Sequence, residues 1–164
     1  DIAALEAELD AVPSYRHGDY HGRGDMTDYL VAKRIAGMQV FGADAALTPR
    51  FPDRARRKAE IARLAANWAR VFDARSLLIL GRAMANFDIR DRLSAIRAPL
   101  LYVLSRSDRL FPATLAPSVM TMMHAAGVDA RFVEIDSGHG HFASSTDAAK
   151  WAAPLGAFLA EIDH

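Results

Sequence analysis

Apolar residues recur at helical spacing through the first half of the chain and in short unbroken runs through the second. Ile2, Leu5 and Leu9 share one face of a first helix over residues 2–9. Pro13 and the stretch Tyr15–Asp25 break it, with Gly18, Gly22 and Gly24 among charged residues, the pattern of a loop. Thr27 is the expected cap of a helix reaching about Phe41, with Leu30, Ile35, Met38 and Phe41 on one side and Gly42 as its stop. A short segment ends at Pro49 and Pro52. Asp53 then caps the most regular amphipathic helix, in which Ile61, Leu64, Ala65, Trp68, Val71 and Phe72 face one way and Arg56, Arg57, Glu60, Arg63 and Arg70 the other. Asp73 interrupts it. Ser76 to Phe87 reads as a helix apolar nearly all round, which expects cover on several sides.

After about residue 95 the period changes. Pro99–Leu104 is short, apolar and bounded by Pro and by Ser-Arg-Ser-Asp, a buried parallel strand by pattern. Pro112 to Ala126 reads as a helix with Pro near its start and Gly127 past its end. Ala130–Ile135 is a second, more mixed strand. Residues 136–145 read as a loop, and Ser145 or Thr146 caps a last helix with Ala149, Ala152, Leu155, Phe158, Leu159 and Ile162 inward. Strand, helix, strand, helix is a right-handed crossover unit of an α/β sheet. Two parallel strands do not make a stable sheet, because parallel strands need pairing at both edges and cover on both faces. The expectation is a helical region over residues 1–95 and, over 96–164, the tail of a larger α/β core.

Composition narrows the function classes. The 164 residues are 51% hydrophobic, enough for a core. Twenty basic and twenty acidic residues cancel, so no net field points to nucleic acid or an anionic membrane. There is no Cys, hence no disulfide, thiol nucleophile or thiolate metal site. No apolar run is long enough for a membrane span, the chain opens without Met or a signal-peptide pattern, and a cytoplasmic location is expected for what reads as part of a longer or processed protein. No Gly-rich phosphate loop is present, and no cofactor is expected.

The chemistry gathers at two strand ends. The first strand is followed by Ser107-Asp108-Arg109-Leu110-Phe111-Pro112, and the second by Asp136-Ser137-Gly138-His139-Gly140-His141-Phe142. An acid after one strand and a His after the next are two parts of a nucleophile–His–acid triad. The third, a Ser or Cys on a Gly-flanked turn, is not in the sequence. Asp108 also reads as a turn residue bonding local N–H groups. Either His141 or His139 serves as the base, with His141 preferred. His17, Asp19, His21 and Asp25 have metal-ligand chemistry but no familiar spacing, so an entrance loop is the better reading and no metal is expected. The run Arg54, Arg56, Arg57, Lys58, Arg63 interleaves with Asp53 and Glu60 and reads as a solvated helix face. Met120, Met122 and Met123 read as core filler. Arg82, on an apolar helix, expects a partner, either Asp88 or a substrate carboxylate.

Four stretches resemble a known family. Gly18-Asp19-Tyr20 with Ala32-Lys33-Arg34-Ile35 resembles a loop and first lid helix of the α/β-hydrolase-fold group that holds homoserine O-acetyltransferases and related esterases. Phe72-Asp73-Ala74-Arg75-Ser76-Leu77, continuing to Gly81-Arg82-Ala83-Met84, resembles that group's FDANSYLYLTRAM stretch. Ala98-Pro99-Leu100-Leu101 with Ser107–Pro112 is similar to its acid-bearing strand end, and Gly140-His141 to its catalytic Gly-His. The resemblance covers the C-terminal half of that fold: a helical lid, then the last two parallel strands and their helices. It implies Asp108 as triad acid, His141 as base, and a serine nucleophile with its oxyanion donors upstream. The rest of the sheet then comes from a missing or separate N-terminal half, without which this chain is inactive.

The resemblance implies an acyl-ester hydrolase working through an acyl-enzyme, or an O-acetyltransferase. The family's transferases commonly follow the catalytic His with an Asp that binds the substrate amine. Here that position is Phe142, and an apolar ring cannot pair with an ammonium. This favours an ester or acceptor without a cationic amine and ranks the esterase first. Phe142 and Arg82 are the expected substrate contacts, and Trp68, Leu78, Met84 and Phe87 candidate pocket lining. The family's lid also builds a homodimer, which the apolar helix 76–87 would suit. The rival class is a non-catalytic structural or interaction fragment; the presence of both Asp108 and Gly-His argues against it.

Overall fold

The computed structural model describes residues 1–162. They form ten helices and strands with intervening 3₁₀ turns. Compactness divides them into two units that interleave along the chain: Asp1–Met38 with Ala55–Phe87, and Gln39–Arg54 with everything from Asp88 onward. The second unit draws in residues 39–54, which the residue pattern alone places among the helices.

The first unit is helical. It holds α1 (Ile2–Asp10), most of α2 (Thr27–Val40) and α4 (Arg54–Ala69), and α5 (Ala74–Ala85). Leu9, Tyr15, Tyr20, Met26, Leu30, Ala69, Ala74 and Leu78 make its core. Asp73 caps α5 by accepting from the Ser76 amide at 3.0 Å, and the Tyr20 hydroxyl donates to the same carboxylate. One capping residue thereby ties the 15–25 stretch to α5. Glu8 accepts from Lys33 Nζ at 2.5 Å and from the Tyr29 hydroxyl at 3.0 Å, joining α1 to α2.

Several expectations are corrected here. Thr27 is the first residue of α2, and Asp25 Oδ1 accepts from its amide at 2.8 Å. Residues 13–18 are a 3₁₀ turn in which Arg16 and His17 adopt left-handed backbone angles. Arg57, assigned to the solvent face of α4, is buried, while Val71 is 86% exposed. The helix expected at 76–87 runs Ala74–Ala85 and is covered on one side only: Ala74 and Leu78 are buried, and Ile79, Leu80, Met84 and Phe87 are exposed.

The second unit carries the strands. β1 (Leu100–Ser105) and β2 (Ala130–Ile135) pair in parallel from Leu100 opposite Ala130 to Ser105 opposite Ile135. α6 (Ala116–Ala125) crosses between them, preceded by a separate 3₁₀ turn at Ala113–Leu115. Gly127, at φ +77°, turns the chain back. Helix α3 (Ala43–Leu47) lies in the short segment that ends at Pro49 and Pro52. After β2 a 3₁₀ turn (Gly140–Phe142) and α7 (Ala143–Thr146) interrupt the expected loop, and α8 (Ala148–Ile162) closes the described chain. Of the last helix's expected inward positions, Phe158 is buried and Leu155 half-buried. Ala149, Ala152, Leu159 and Ile162 are exposed. On the strands, Leu104, Ser105, Ala130 and Ile135 are buried, and most of the other strand positions are only half-buried.

Candidate active site

The site grows out of the end of β1. The Asp108 amide donates to Ser105 O at 3.1 Å, turning the chain off the strand. Asp108 Oδ1 then accepts from the Leu110 amide at 2.8 Å and the Phe111 amide at 3.1 Å. This is the local turn role expected of an Asp, and it occupies one oxygen only. The other, Oδ2, stands 2.9 Å from His141 Nδ1. One oxygen thus serves the local turn and the other faces His141.

Asp108 is buried, 8% exposed overall. Burial alone would push its carboxyl upward. The His141 imidazole and the Phe111 and Leu110 amides outweigh that and hold it below the ordinary carboxylate range. An ionised Asp108 facing Nδ1 keeps the imidazole proton on that nitrogen, which leaves Nε2 as the nitrogen available to a reacting group.

His141 is set by its backbone as much as by Asp108. Its amide donates to Phe41 O at 2.9 Å, and the Gly140 amide donates to Ser107 Oγ at 2.9 Å. Gly140 has φ +59°, and a Cβ there would stand 2.6 Å from Phe41 O. Gly42 has φ +95°, and its Cβ would stand 2.9 Å from His139 O. Two glycines facing each other let the Phe41–Gly42 backbone reach the His141 loop. The Phe41 and Phe111 rings lie tilted against the imidazole at centroid separations of 5.5 and 5.7 Å.

Asp108 and His141 open on a cavity of about 370 Å³. Its walls are mostly apolar and include Leu101, Val103, Phe111, Trp151 and Leu155. That is the size and character of a small-molecule site. Ser105 Oγ, also in the wall, is a buried side-chain atom with no hydrogen-bond partner.

No protein-family model matches the chain. It is 28% identical to the homoserine O-acetyltransferase of Symbiobacterium thermophilum, an alignment covering 99% of this chain and 49% of that protein. Esterase E22 superposes with a TM-score of 0.75 at 18% identity, over 96% of this chain and 49% of its own. Homoserine O-acetyltransferase from Bacillus anthracis superposes with a TM-score of 0.71 at 18% identity, over 94% and 47%. The chain has the fold of the C-terminal half of an α/β-hydrolase. Its resemblance to the homoserine O-acetyltransferase and esterase group holds along its length. The chain spans about half the length of the curated relatives it matches.

The remaining expected residues fall elsewhere. Phe142 is half-buried and is not among the residues lining the cavity. Arg82 belongs to the helical unit and is not the nearly buried guanidinium expected of it. It is 53% exposed and pairs with Glu6 at 3.0 Å, while Asp88 pairs with Arg90. The helix is apolar on a face open to solvent, so its arginine never had to be desolvated. Among the pocket candidates, Met84 and Phe87 are 73% and 72% exposed, Leu78 is core, and Trp68 stacks on Phe72 at 4.2 Å. His17, Asp19, His21 and Asp25 go to four separate partners: Asp10, Arg23, Asp73 and the Thr27 amide. His139 pairs with Asp147, Nδ1 to Oδ2 at 3.0 Å.

Sequence reasoning missed Phe41, Gly42, Ser107 and Asp147 at this site. Gly42 carried a signal, read only as a helix stop. Nothing in the local pattern ties Phe41–Gly42 to a loop a hundred residues away.

Proposed function

We propose that the complete protein carrying this chain is an acyl-ester hydrolase working through an acyl-enzyme, with this chain supplying the base and the acid. The observation that carries the reading is the His141–Asp108 pair, 2.9 Å apart at the wall of an apolar cavity. In this reading a serine from the other half of the fold attacks the ester carbonyl as His141 Nε2 takes its proton. The imidazolium then gives that proton to the leaving alkoxide. Asp108 keeps the ring oriented and stabilises its charged form. Water, activated the same way, releases the acid. In this reading the chain alone lacks the Gly-flanked serine that attacks.

The other half is also the partner that the sheet asks for. The half-buried strand faces are the marks of a surface that further strands cover. The exposed Ile79, Leu80 and Met84 on α5, with Phe87 just beyond its end, suit a second copy of the chain.

A second reading, O-acetyltransferase, is favoured by the name of the relative matched over nearly the whole chain. By the resemblance, Phe142 stands where the family's transferases carry an Asp, which favours the hydrolase if the other half of the fold brings substrate to it, since it lies outside the walls of this chain's cavity. The test is the complete protein with p-nitrophenyl acetate, with and without homoserine, alongside labelling by a fluorophosphonate. Hydrolysis and labelling of a serine outside this chain, both lost in His141→Ala, support the hydrolase. Acetyl-homoserine formed faster than acetate makes it a transferase. No turnover and no label leaves a non-catalytic fragment and sinks the proposal.

A further inference from the structure

The loop that carries His141 holds a second imidazole–carboxylate pair. His139 Nδ1 stands 3.0 Å from Asp147 Oδ2, and these side chains are more enclosed than an ordinary surface pair, at 24% and 14% exposure. Asp147 gathers further donors. Lys150 Nζ lies 3.3 Å from its Oδ2, and the Ser137 hydroxyl donates to it. Each donor is also tied back into the same loop. Ser137 Oγ accepts from the His139 amide at 3.0 Å, and Lys150 Nζ donates to Asp136 O at 2.6 Å. Asp147 itself immediately precedes α8, so its backbone is anchored on a helix of fifteen residues.

The pair is not placed for chemistry. Asp108 and His141 line the cavity, whereas His139 and Asp147 do not. What it does hold is position. The residues it fixes, Ser137 and His139, lead directly into Gly140 and His141. The His139 carbonyl in turn accepts from the Phe142 amide at 3.2 Å. The loop is thereby clamped on both sides: by Phe41 and Ser107 at Gly140–His141, and by Asp147 at Ser137–His139.

We infer that Asp147 and His139 are positioning residues, a second His–Asp pair that sets the imidazole of His141 against Asp108 by fixing the loop between them. This rests on the reading of His141 as the base. Misplacing a catalytic group by an ångström costs about a hundredfold in rate, whereas a substrate bound elsewhere in the cavity is indifferent to it. Loss of the pair should therefore fall on kcat and spare KM.

The experiment uses the complete protein with p-nitrophenyl acetate and three sets of variants: Asp147→Ala, His139→Gln and, as controls, His141→Ala and Asp108→Asn. Asp147→Ala is expected to lower kcat about tenfold to a hundredfold with KM nearly unchanged. His139→Gln keeps an N–H donor for Asp147 and should retain most of the rate. Hydrogen exchange gives an independent reading. In Asp147→Ala the Gly140 and His141 amides should exchange at least about tenfold faster while those of Leu101–Leu104 keep their protection. Unchanged kcat and unchanged exchange in Asp147→Ala overturn the inference. A loss of protection across β1 as well assigns Asp147 to global stability and also overturns it. Full activity in both controls would instead remove the reading of His141, a different failure with a different signature.

Discussion

Two imidazole–carboxylate pairs sit two residues apart in one loop and differ in every respect that matters for chemistry. His141 meets Asp108 across 33 positions of sequence, from the end of one strand to the end of the next. His139 meets Asp147 across eight. The first pair lines a cavity, with His141 40% exposed; the second is absent from its walls and more enclosed on the imidazole side. Asp108 spends its second oxygen on backbone amides of its own turn, whereas Asp147 collects a hydroxyl and an ammonium. A His–Asp distance near 3 Å is thus a weak sign of catalysis. Access to a cavity, and assembly from separate strand ends, distinguish the pair proposed as catalytic from the one proposed to support it.

The sharpest way to break that comparison is to remove one carboxylate at a time. Asp108→Asn should lower kcat by about three to four orders of magnitude, because the amide no longer holds the imidazole in the right tautomer. The measurement is steady-state hydrolysis of p-nitrophenyl acetate by the complete protein. If Asp108→Asn costs no more than Asp147→Asn, the assignment of roles is wrong.

The sequence shows one side of this contrast well. Asp108 and His141 follow short apolar runs, and a parallel crossover unit must bring two such strand ends together. The helices, the two strands and the Asp–His pairing were legible for that reason. The supporting pair was not, because Asp147 lies in a stretch of Ser, Thr and Ala whose pattern reads only as a helix start. Phe41–Gly42 was hidden for a different reason: a helix C-terminus looks the same whether the glycine merely stops the helix or also makes room for a distant loop. Arg82 and the apolar face of α5 were misread because periodicity reports which residues are apolar, not which are covered.

A smaller effect is expected at the joint between the segment 39–54 and the loop. Gly140 combines φ +59° with a would-be Cβ 2.6 Å from Phe41 O, and that contact is backbone, which cannot rotate away. Gly140→Ala should cost about 1–3 kcal/mol of stability, read as a lowered urea midpoint. Because the His141 amide bonds the same carbonyl, kcat should fall with it. Gly127, with open space around its Cβ and φ +77°, is the control. Gly127→Ala should cost strain alone, with kcat unchanged.

The smallest effect separates the pairs by pH. Chiefly the Ser137 hydroxyl, and then His139 and Lys150, hold the Asp147 carboxyl down to about 2, against an ordinary value of 3.8. A carboxyl depressed in the folded state binds its proton more weakly there than in the unfolded chain. Its contribution is therefore complete above about pH 4 and is lost as pH falls toward 2. Asp147→Asn should be less stable than the parent at neutral pH, and the gap should close across that window, measured as urea midpoints of the complete protein. Asp108 is depressed as well, against the pull of its burial, so Asp108→Asn should show a closing gap below its ordinary range. What distinguishes the two is activity. At neutral pH both carboxylates are ionised, and the loss of Asp108 should cost kcat about three to four orders of magnitude against about one to two for the loss of Asp147. A gap that stayed constant with pH in Asp147→Asn would mean that its donors do not favour the ionised carboxylate, and the supporting pair would lose its electrostatic basis.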